Sequence, residues 1–456
     1  MDQLAAIVSQ ISDFVWNNLL LYLLVLTGIL FTIRTRFVQV RRFGTGLKRL
    51  FGSINLNGEK ANHEGMSSFQ ALTTAIAAQV GTGNITGCAT ALASGGPGAI
   101  FWMWVSAFFG MSTIYGEAVL AQKYKTVDED GQVTGGPIYY IRARFRGKFG
   151  KFLAGFFSIA IIFALGFAGN MVQSNSIGDS FHNAFGISPI IIGVICAAIA
   201  AFIFLGGVAR IASVTEKLVP VMAMFYIVGC AIILCLNHAT LIEAFRSIFV
   251  GAFQPQAIAG GVAGVTVKEA MRYGVARGLF SNEAGMGSTP HAHALAKVKK
   301  PQDQGVIAIV SVFIDTFVIL TLTALVILST GALSSGETGS ALAQTAFDSA
   351  FGSFGSVFIA ICMFFFAFST IIGWYFFGET NVKALFGKKA VLPYAVIAVG
   401  FIVIGSFQKV SLVWDMSDMF NGLMVIPNLL AVLALSGQVA RAAWPGKKEK
   451  ETQKKA

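Results

Sequence analysis

Apolar residues gather in eleven stretches along this chain, each about 17 to 28 residues long and separated from the next by a polar segment. About 20 predominantly apolar residues form a helix long enough to cross the hydrocarbon core of a bilayer. The pattern therefore predicts eleven membrane-spanning helices, over 14–33, 66–93, 98–121, 152–172, 189–208, 218–236, 264–290, 305–330, 353–377, 390–406 and 412–437.

Two of these stretches contain polar interruptions near the middle of the membrane. The second span includes QVGTGNITG at 79–87, and the seventh includes FSNEAGMGSTP at 280–290. Each interruption lies about fifteen residues into its span, at Gly81 and Ser281. Each interruption lies in the first span of a group of five consecutive spans. Because five is an odd number, the second group crosses the membrane in the opposite direction to the first. Corresponding breaks in two inverted halves are typical of a transport site, and glycine kinks that aid helix packing are the alternative.

The pattern thus predicts an all-α integral membrane protein, with an inverted repeat of five plus five spans and one extra N-terminal span. The stretch 243–264 has too many interruptions for a span and is predicted to be an outer amphipathic or re-entrant piece. The chain divides into the N-terminal span with a basic cytoplasmic loop (1–65), the first repeat (66–236), the outer segment with the second repeat (237–440) and a basic cytoplasmic tail (441–456).

Composition and charge support this interpretation. The chain is 55% hydrophobic and 12% charged, with a mean hydropathy of +0.71, whereas about a quarter of the residues of a soluble domain are charged. Its net charge of +11 comes mainly from segments on one side of the bilayer, because only Arg246 and Lys409 lie on the other side. This asymmetry follows the positive-inside rule rather than a nucleic-acid-binding pattern. It predicts a multi-pass protein of the plasma (inner) membrane with its N-terminus outside and its C-terminus cytoplasmic.

The loops themselves give the same topology. The loop 122–151 is rich in basic residues and is predicted to be cytoplasmic, as is the tail. The segment 331–352 contains acidic residues but no Lys or Arg, and is predicted to lie outside.

Unwound backbone inside a membrane leaves N–H and C=O groups without helical partners, which is costly unless a ligand pairs with them. Free carbonyls near Val80 and Phe280 suit an ammonium group or a sodium ion. Asn84 can donate and accept at the same point. A zwitterionic amino acid offers both charges that such a site needs. The amide donors predicted to bind its carboxylate are those of Gly81, Thr82 and Gly83.

Four stretches of the sequence resemble the signature stretches of the sodium:alanine/glycine symporter family of bacteria and archaea. They are GTGNITG at 81–87, GGPGAIFWMW at 95–104, GGPIYY at 135–140 and RGLFSNEAGMGS at 277–288. The resemblance implies a leucine-transporter-type fold and uptake of alanine, glycine or a close relative by sodium symport. It also implies alternating access, with sodium as the coupling ion, no cofactor and no enzymatic activity.

Five further residues are candidates for substrate contact. A glutamine at the position of Gln173 would reach the substrate in this family, although a solvent-facing glutamine at the end of a span is the alternative. Trp374 could limit the size of the substrate side chain, or could simply be a packing residue. The other three belong to the second break and are Phe280, Ser281 and Asn282.

Acidic and basic residues within the spans are functional candidates because an intramembrane charge is expensive. Glu283 is predicted to hold the second break together through nearby amides or Arg277. Asp315 has two open interpretations, a cation contact or a tie between helices. Lys268, Arg272 and Arg277 follow each other at helical spacing and suggest a polar face toward an outer vestibule, where an external gate is possible.

The sodium site is predicted at two adjacent hydroxyls in the apolar ninth span, Ser369 and Thr370. The alternative is that each hydroxyl bonds the carbonyl four residues back in its own helix. The resemblance implies that a Ser/Thr pair here gives two oxygens to sodium. It implies that the carbonyls of Ala77, Val80 and Phe366 supply the rest, and such neutral oxygens suit a hard cation.

Three other kinds of protein remain as alternatives. A proton-coupled amino-acid transporter would have the same spans and breaks. A passive channel is disfavoured because mid-membrane breaks fit an occluded site better than a continuous polar lumen. The best sign of an embedded enzyme is the HAH sequence at 291–293, but residues two apart point to different sides of a helix and no third ligand lies nearby.

Overall fold

The computed structural model describes residues 2–53, 65–254 and 265–444. Most of the predicted basic tail, 445–456, lies outside these residues, and so does 255–264, the last part of the predicted outer piece.

The first part of the described chain contains helices on both sides of the first break. The N-terminal helix is continuous from α1 to α2 through a π-helical turn. The elements are α1 (Asp2–Val15), the π segment Trp16–Leu20, α2 (Leu21–Arg34), α3 (Val38–Arg41), α4 (Phe43–Ser53), α5 (Ser68–Gln79), the π segment Gly83–Gly87, α6 (Cys88–Gly95) and α7 (Gly98–Lys123).

A small hairpin and six helices follow. The elements are β1 (Thr126–Val127), β2 (Val133–Thr134), α8 (Pro137–Arg144), α9 (Gly147–Ile161), the π segment Ile162–Gly169, α10 (Asn170–Phe185), α11 (Pro189–Phe204), α12 (Gly207–Leu236) and α13 (His238–Phe253).

The last part of the chain carries the second break and the longest helix. The elements are α14 (Val267–Asn282), α15 (Pro290–Ala294), α16 (Pro301–Val312), the π segment Phe313–Leu320, α17 (Thr321–Ser329), the 3₁₀ turn Ala332–Ser335, α18 (Gly339–Phe351), α19 (Phe354–Phe386), the 3₁₀ turn Lys388–Ala390, α20 (Val391–Ser406), α21 (Val410–Ala434) and α22 (Ser436–Ala443).

Local sequence explains where the two broken helices begin. Ser67 accepts a bond from the Gln70 amide, and the Gln70 side chain accepts one from Ser67, so a capping box starts α5. Thr266 and Glu269 form the same reciprocal pair at the start of α14. A capping box pairs two of the donors that a helix start leaves unpaired. Both broken helices therefore have a fixed first turn, built in the same way.

Seven helical segments in the described part are long and apolar enough to cross a membrane, and α2 and α11 are shorter apolar helices. The two interrupted spans account for the remaining predicted crossings, because each is split into short helices. The predicted segments thus coincide with helices, whereas the number of crossings and the inverted repeat remain predictions. The all-α class is confirmed; the described residues add one short hairpin, in which β1 and β2 pair antiparallel with Thr126 opposite Thr134.

Several helices extend well past the predicted spans. The helix predicted over 152–172 runs from Gly147 to Phe185, and the one predicted over 353–377 runs on to Phe386. Polar residues continue these helices because their side chains find partners in the protein. For example, the Asn175 amide donates to the carbonyl of Gly405 at 2.9 Å. Hydropathy alone cannot detect a polar helical turn that is covered by neighbouring helices.

The predicted outer piece begins as a helix. α13 packs against α7 and α17, and Trp102 on α7 donates to the carbonyl of Ala252 at 3.3 Å. Its side chain at Ile242 is 81% exposed, as expected for a helix with one apolar face toward lipid. An amphipathic helix therefore occupies the described part of this segment.

Segments predicted to share one side of the membrane meet in the structure. At the predicted cytoplasmic face Arg49 pairs with Asp303 at 2.9 Å. Lys383, at the same face, pairs with Asp128 at 2.8 Å. At the opposite face Arg272 pairs with Asp13. The loops are thus sorted as the charge pattern requires, while the orientation of the two faces in the cell remains a prediction.

Candidate substrate and ion sites

The first break is a three-residue interruption, 80–82, between α5 and the π segment that follows. Val80 has φ −82° and ψ 87°, so its carbonyl turns away from the axis of α5. The amide of Gly81 donates to Asn84 Oδ1 at 3.0 Å, and the amide of Thr82 donates to Gln173 Oε1 at 3.2 Å. The prediction that these two amides are free was therefore wrong. Side-chain oxygens pair with them because a buried N–H without a partner is costly.

Glycines let three elements approach each other at this break. A Cβ added to Gly83 would lie 3.0 Å from Ser281 Cα, and one added to Gly81 would overlap Thr370 Oγ1. The first break thus contacts both the end of α14 and the middle of α19. All these residues are buried. A larger residue at either glycine has no space here.

Asp315 lies between the two breaks and is fully buried. Its Oδ1 accepts from Asn84 Nδ2 at 2.8 Å and from Ser281 Oγ at 2.8 Å, and its Oδ2 accepts from Thr316 at 2.8 Å. No Lys, Arg or His of the described residues forms an ion pair with it. Asp315 therefore ties its own helix to both breaks through hydrogen bonds.

The second break begins later than predicted. α14 continues through Phe280 to Asn282, and Glu283 has a left-handed backbone with φ 56°. The Asn282 carbonyl accepts from Gln79 Nε2 at 2.7 Å, which joins the two breaks again. Phe280 therefore lies inside a helix, and the unwound backbone covers 283–289.

Glu283 fixes the second break, but through different partners from those predicted. It accepts from Ser288 Oγ at 2.5 Å and from the indole Nε1 of Trp374. Arg277 instead forms a bidentate pair with Asp418, with distances of 2.9 and 2.8 Å. Glu283 was predicted to act through nearby amides or Arg277; the Arg277 alternative is not observed, because Arg277 is paired with Asp418 on α21.

Phe280 and Trp374 form an aromatic wall next to the breaks. Their ring centroids are 5.5 Å apart with an edge-to-face angle of 87°, and Phe280 also lies 4.8 Å from the Trp414 ring. The Trp374 ring packs closely over Gly169, one turn before Gln173 on the same continuous helix. The predicted substrate residues Gln173, Phe280 and Trp374 are therefore gathered around the same two breaks.

The predicted sodium oxygens converge between α5 and α19. The Ala77 carbonyl lies 3.3 Å from Ser369 Oγ and 2.9 Å from Thr370 Oγ1. The Phe366 carbonyl lies 2.8 Å and 3.1 Å from the same hydroxyls. Each hydroxyl thus bonds a carbonyl of its own helix, three residues back for Ser369 and four for Thr370, and also faces the Ala77 carbonyl of α5. Sodium binding at this pair stays a prediction. Val80, the fifth predicted ligand, has its carbonyl turned out of α5 at the break.

Sequence reasoning missed Glu117 on α7, which is fully buried. Its carboxylate accepts from the amides of Gly285 and Gly287 at 2.9 and 3.0 Å, and from Asn428 Nδ2 at 2.6 Å. It therefore pairs with backbone amides that the second break leaves free. An acidic residue inside the predicted span 98–121 was the signal that could have found it.

The two histidines of the HAH sequence bond to protein groups. His291 contacts the Ser288 carbonyl at 2.6 Å and Asn381 at 2.8 Å, and His293 contacts Gln304 at 2.9 Å. Within the described ranges no group of three or more His, Cys, Asp or Glu side chains is arranged to hold a metal ion. These histidines stabilise the segment after the second break.

The whole chain is similar to a known family of transporters. The profile of the Sodium:alanine symporter family matches residues 1–456. The sodium/alanine symporter AgcS of Methanococcus maripaludis is 42% identical over 439 residues, which cover 95% of this chain and 95% of AgcS. The probable sodium/glutamine symporter GlnT of Bacillus subtilis is 41% identical over 453 residues, covering 99% of this chain and 91% of GlnT.

Solved structures of transporters share the fold. MhsT in complex with L-phenylalanine matches with a TM-score of 0.59 at 13% identity, covering 85% of this chain and 99% of MhsT. A manganese transporter of Eremococcus coleocola matches with a TM-score of 0.51 at 15% identity, covering 81% of this chain and 76% of that transporter. Such low identity shows the fold alone, which is of the leucine-transporter type.

Proposed function

Because this chain belongs to the sodium:alanine symporter family, we propose that it imports alanine or glycine together with sodium by alternating access. The observation that carries the proposal is the contact between the two breaks and the hydroxyl pair. Ser281 and Thr370 both adjoin the glycines of the first break. A substrate bound there and an ion bound at α19 would therefore share one helix, α5, so that each favours the same conformation.

The substrate carboxylate is proposed to take the place of side-chain oxygens at the first break. Asn84 and Gln173 now accept from the amides of Gly81 and Thr82. A carboxylate is a stronger acceptor than an amide oxygen, and the released side chains can donate N–H groups to it. Gln173 Nε2 is buried without a hydrogen-bond partner in the described structure, which leaves a donor for this purpose.

The proposed pocket favours a small side chain. The rings of Phe280 and Trp374 stand edge to face beside the breaks, and Glu283 holds the Trp374 indole. A methyl group or a hydrogen on the substrate fits against such a wall more easily than a long side chain. GlnT is described as a probable glutamine symporter, so glutamine belongs in the test of specificity.

Sodium is proposed to bind the oxygens of Ser369, Thr370, Ala77, Phe366 and Val80. A second candidate is Asp315 with Asn84 and Ser281, because this carboxylate has no basic ion-pair partner among the described residues. One sodium ion moving inward releases about 2.3 kcal/mol per 100 mV. A tenfold gradient adds roughly 1.4 kcal/mol. About 3.7 kcal/mol supports roughly 500-fold accumulation of a neutral zwitterion.

Purified protein in liposomes tests this function. We expect labelled alanine to accumulate above its external concentration only with an inward sodium gradient, and unlabelled alanine and glycine to compete more strongly than glutamine. Accumulation driven by a proton gradient without sodium would indicate the proton-coupled alternative. Equilibration without accumulation would indicate a channel, and formation of a product would indicate an enzyme.

A further inference from the structure

A cleft opens at the predicted cytoplasmic face, between the β1–β2 hairpin and the end of α19. Its outer part encloses about 490 Å³ and its inner part about 40 Å³. The two share six lining residues: Gln132, Val133, Val208, Leu295, Glu379 and Lys383. The inner part ends at His291 and Phe376. About 15 Å³ suffices for one water molecule, so an ion with some of its water can enter.

The cleft meets the C-terminal part of the α19 face that also carries the proposed sodium ligand Ser369. Positions three or four residues apart lie on the same side of a helix. From Ser369 this spacing leads through Gly373 to Phe376, Thr380 and Lys383, and the last three line the cleft. One helical face therefore connects the proposed sodium site with the cytoplasmic opening.

Glu379 is the unexplained acid in this cleft. Its Oε2 is buried without a hydrogen-bond partner in the described structure, although Glu379 lines both parts of the cleft. Burial disfavours the charged form of Glu379, whereas the charge of Lys383 and a hydrogen bond with the Tyr375 hydroxyl favour it. A buried carboxylate oxygen without a partner is expensive and is a strong acceptor for a cation.

Lys383 stands four residues after Glu379, the spacing at which Glu and Lys ordinarily pair on a helix. Its ammonium is instead held by the hairpin, 2.8 Å from Asp128 and 2.7 Å from Asp130. Hydrogen bonds from Lys383 and Lys388 lower the pKa of Asp130. Burial raises the pKa of Asp128, but the Lys383 hydrogen bond and charge, together with hydrogen bonds from the Gln132 and Asp130 amides, lower it on balance. Both carboxylates are therefore charged and hold Lys383 away from Glu379.

We propose that Glu379 is a transient sodium site on the exit route to the cytoplasm, and that Lys383 discharges it. While the hairpin holds Lys383, Glu379 Oε2 accepts a sodium ion that has left the α19 hydroxyls. When the hairpin moves away, Lys383 pairs with Glu379 and displaces the ion into the open cleft. This inference rests on the proposed sodium symport and on the proposed orientation.

The test measures inhibition of alanine uptake by internal sodium in right-side-out membrane vesicles. Internal sodium inhibits alanine uptake by rebinding to the inward-facing carrier. A variant with a weaker exit site therefore needs a higher internal sodium concentration for half-inhibition. For Glu379→Gln we expect the half-inhibitory internal sodium to rise about fivefold, roughly 1 kcal/mol, while the external sodium for half-maximal uptake changes less than about twofold. Glu379→Asp retains the charge and should lie nearer to the unmodified protein.

Variants of Lys383 and of the hairpin test whether Lys383 competes with sodium for Glu379, and not only whether the charge of Glu379 matters. Lys383→Gln removes the competing cation, so the half-inhibitory internal sodium should fall. Asp128→Asn with Asp130→Asn frees Lys383 to occupy Glu379, so the value should rise as in Glu379→Gln. Lys388→Gln is the matched control, because this lysine contacts Asp130 but its side chain is 74% exposed.

Three outcomes would overturn the inference. They are an unchanged half-inhibitory sodium in Glu379→Gln, an equal shift in internal and external sodium dependence, and a rise in Lys383→Gln. If Glu379→Gln fails to reach the membrane, the lysine and hairpin variants still test the inference, because their half-inhibitory internal sodium concentrations are expected to shift in opposite directions. Failure of the proposed function would look different, since the unmodified protein would then show no sodium-dependent uptake at all.

Discussion

Two adjacent hydroxyls on α19 can be removed with little change in packing. Ser369 and Thr370 both face the Ala77 carbonyl. Replacing both with alanine removes two of the five proposed sodium ligands. We expect the external sodium for half-maximal alanine uptake to rise about five- to tenfold, roughly 1 to 1.4 kcal/mol. Alanine binding at saturating sodium should suffer less.

The matched control for this experiment is Thr90→Ala. The Thr90 hydroxyl bonds only the Thr86 carbonyl in its own helix, at 2.8 Å. Its removal should leave the sodium dependence unchanged. If the double variant also keeps its sodium dependence, the ion binds elsewhere, and Asp315 with Asn84 becomes the next site to change.

Gly83 tests the close approach of the two breaks. A valine here would press on Ser281, whose Cα lies 3.0 Å from the position of the added Cβ. We expect Gly83→Val to abolish alanine uptake while the protein still reaches the membrane. Gly155→Val is the control, because no atom lies within 4 Å of a Cβ at that position. Uptake by Gly83→Val at the normal rate would exclude Gly83 from the substrate approach.

Alaninamide tests the charge that the first break is proposed to bind. It lacks the carboxylate and should compete poorly with alanine for uptake, since the amides of Gly81 and Thr82 are proposed to bind an anion. Strong competition by alaninamide would contradict the assignment of these amides.

The sequence predicted which residues meet at the site better than how they bond. Glycine, asparagine and hydroxyl residues marked the breaks and the α19 pair, because such residues are unusual inside a span. It could not show that Asn84 and Gln173 already accept from the amides at Gly81 and Thr82, since Gln173 is 91 residues from Thr82 in the chain. It named Arg277 as one candidate partner of Glu283, whereas Arg277 pairs with Asp418, which is 141 residues away in the chain.

At the scale of elements, α7 holds the second break in place through Glu117. Glu117→Ala would leave the amides of Gly285 and Gly287 without their acceptor, at about 1 to 3 kcal/mol for each. We expect a lower thermal unfolding temperature in detergent and a higher KM for alanine. Glu117→Gln keeps one acceptor oxygen, so it should change the unfolding temperature and the KM less than Glu117→Ala does.

A separate variant shows whether this effect is specific to the break. Glu243→Ala removes an acid whose side chain is 71% exposed at the opposite, predicted outer face. It should change neither the unfolding temperature nor the KM. If Glu117→Ala unfolds and transports like the unmodified protein, Glu117 does not position the second break.

Helix boundaries show why hydropathy predicts elements only in part. The apolar middle of each span was found because lipid and core both favour such residues. The polar ends were missed at α10 and at the end of α19, where side chains such as Asn175 and Asn381 bond to neighbouring helices. The β1–β2 hairpin was missed because each strand has two residues, too few for an alternating pattern.

At the scale of the whole molecule, the proposed orientation can be tested by labelling intact cells with an impermeant thiol reagent. Cysteine at Ser335, in the predicted outer segment, should react, and cysteine at Lys148, in the predicted cytoplasmic loop, should not. Both positions are exposed in the structure, so burial does not decide the result. Equal labelling of both would contradict the topology.

The native cysteines determine the background for this experiment. Cys88, Cys196, Cys230 and Cys362 are buried, but Cys235 is exposed near the predicted outer end of α12. We therefore expect the unmodified protein to react once, at Cys235, and Cys235→Ser to remove that signal. The two engineered cysteines belong in the Cys235→Ser background.

α19 runs without interruption for 33 residues, from apolar turns at Phe354 to Lys383 in its last turn, at the predicted cytoplasmic face. Thr370 and Lys383 are thirteen residues apart on it, or about 20 Å at 1.5 Å per residue. If α19 tilts as a rigid body by about 5° around Thr370, Lys383 moves by roughly 1.7 Å. That swing is enough to part an ammonium from a carboxylate 2.8 Å away. A tilt of α19 on release of the proposed ion at Thr370 would thus separate Lys383 from the hairpin, about 20 Å away.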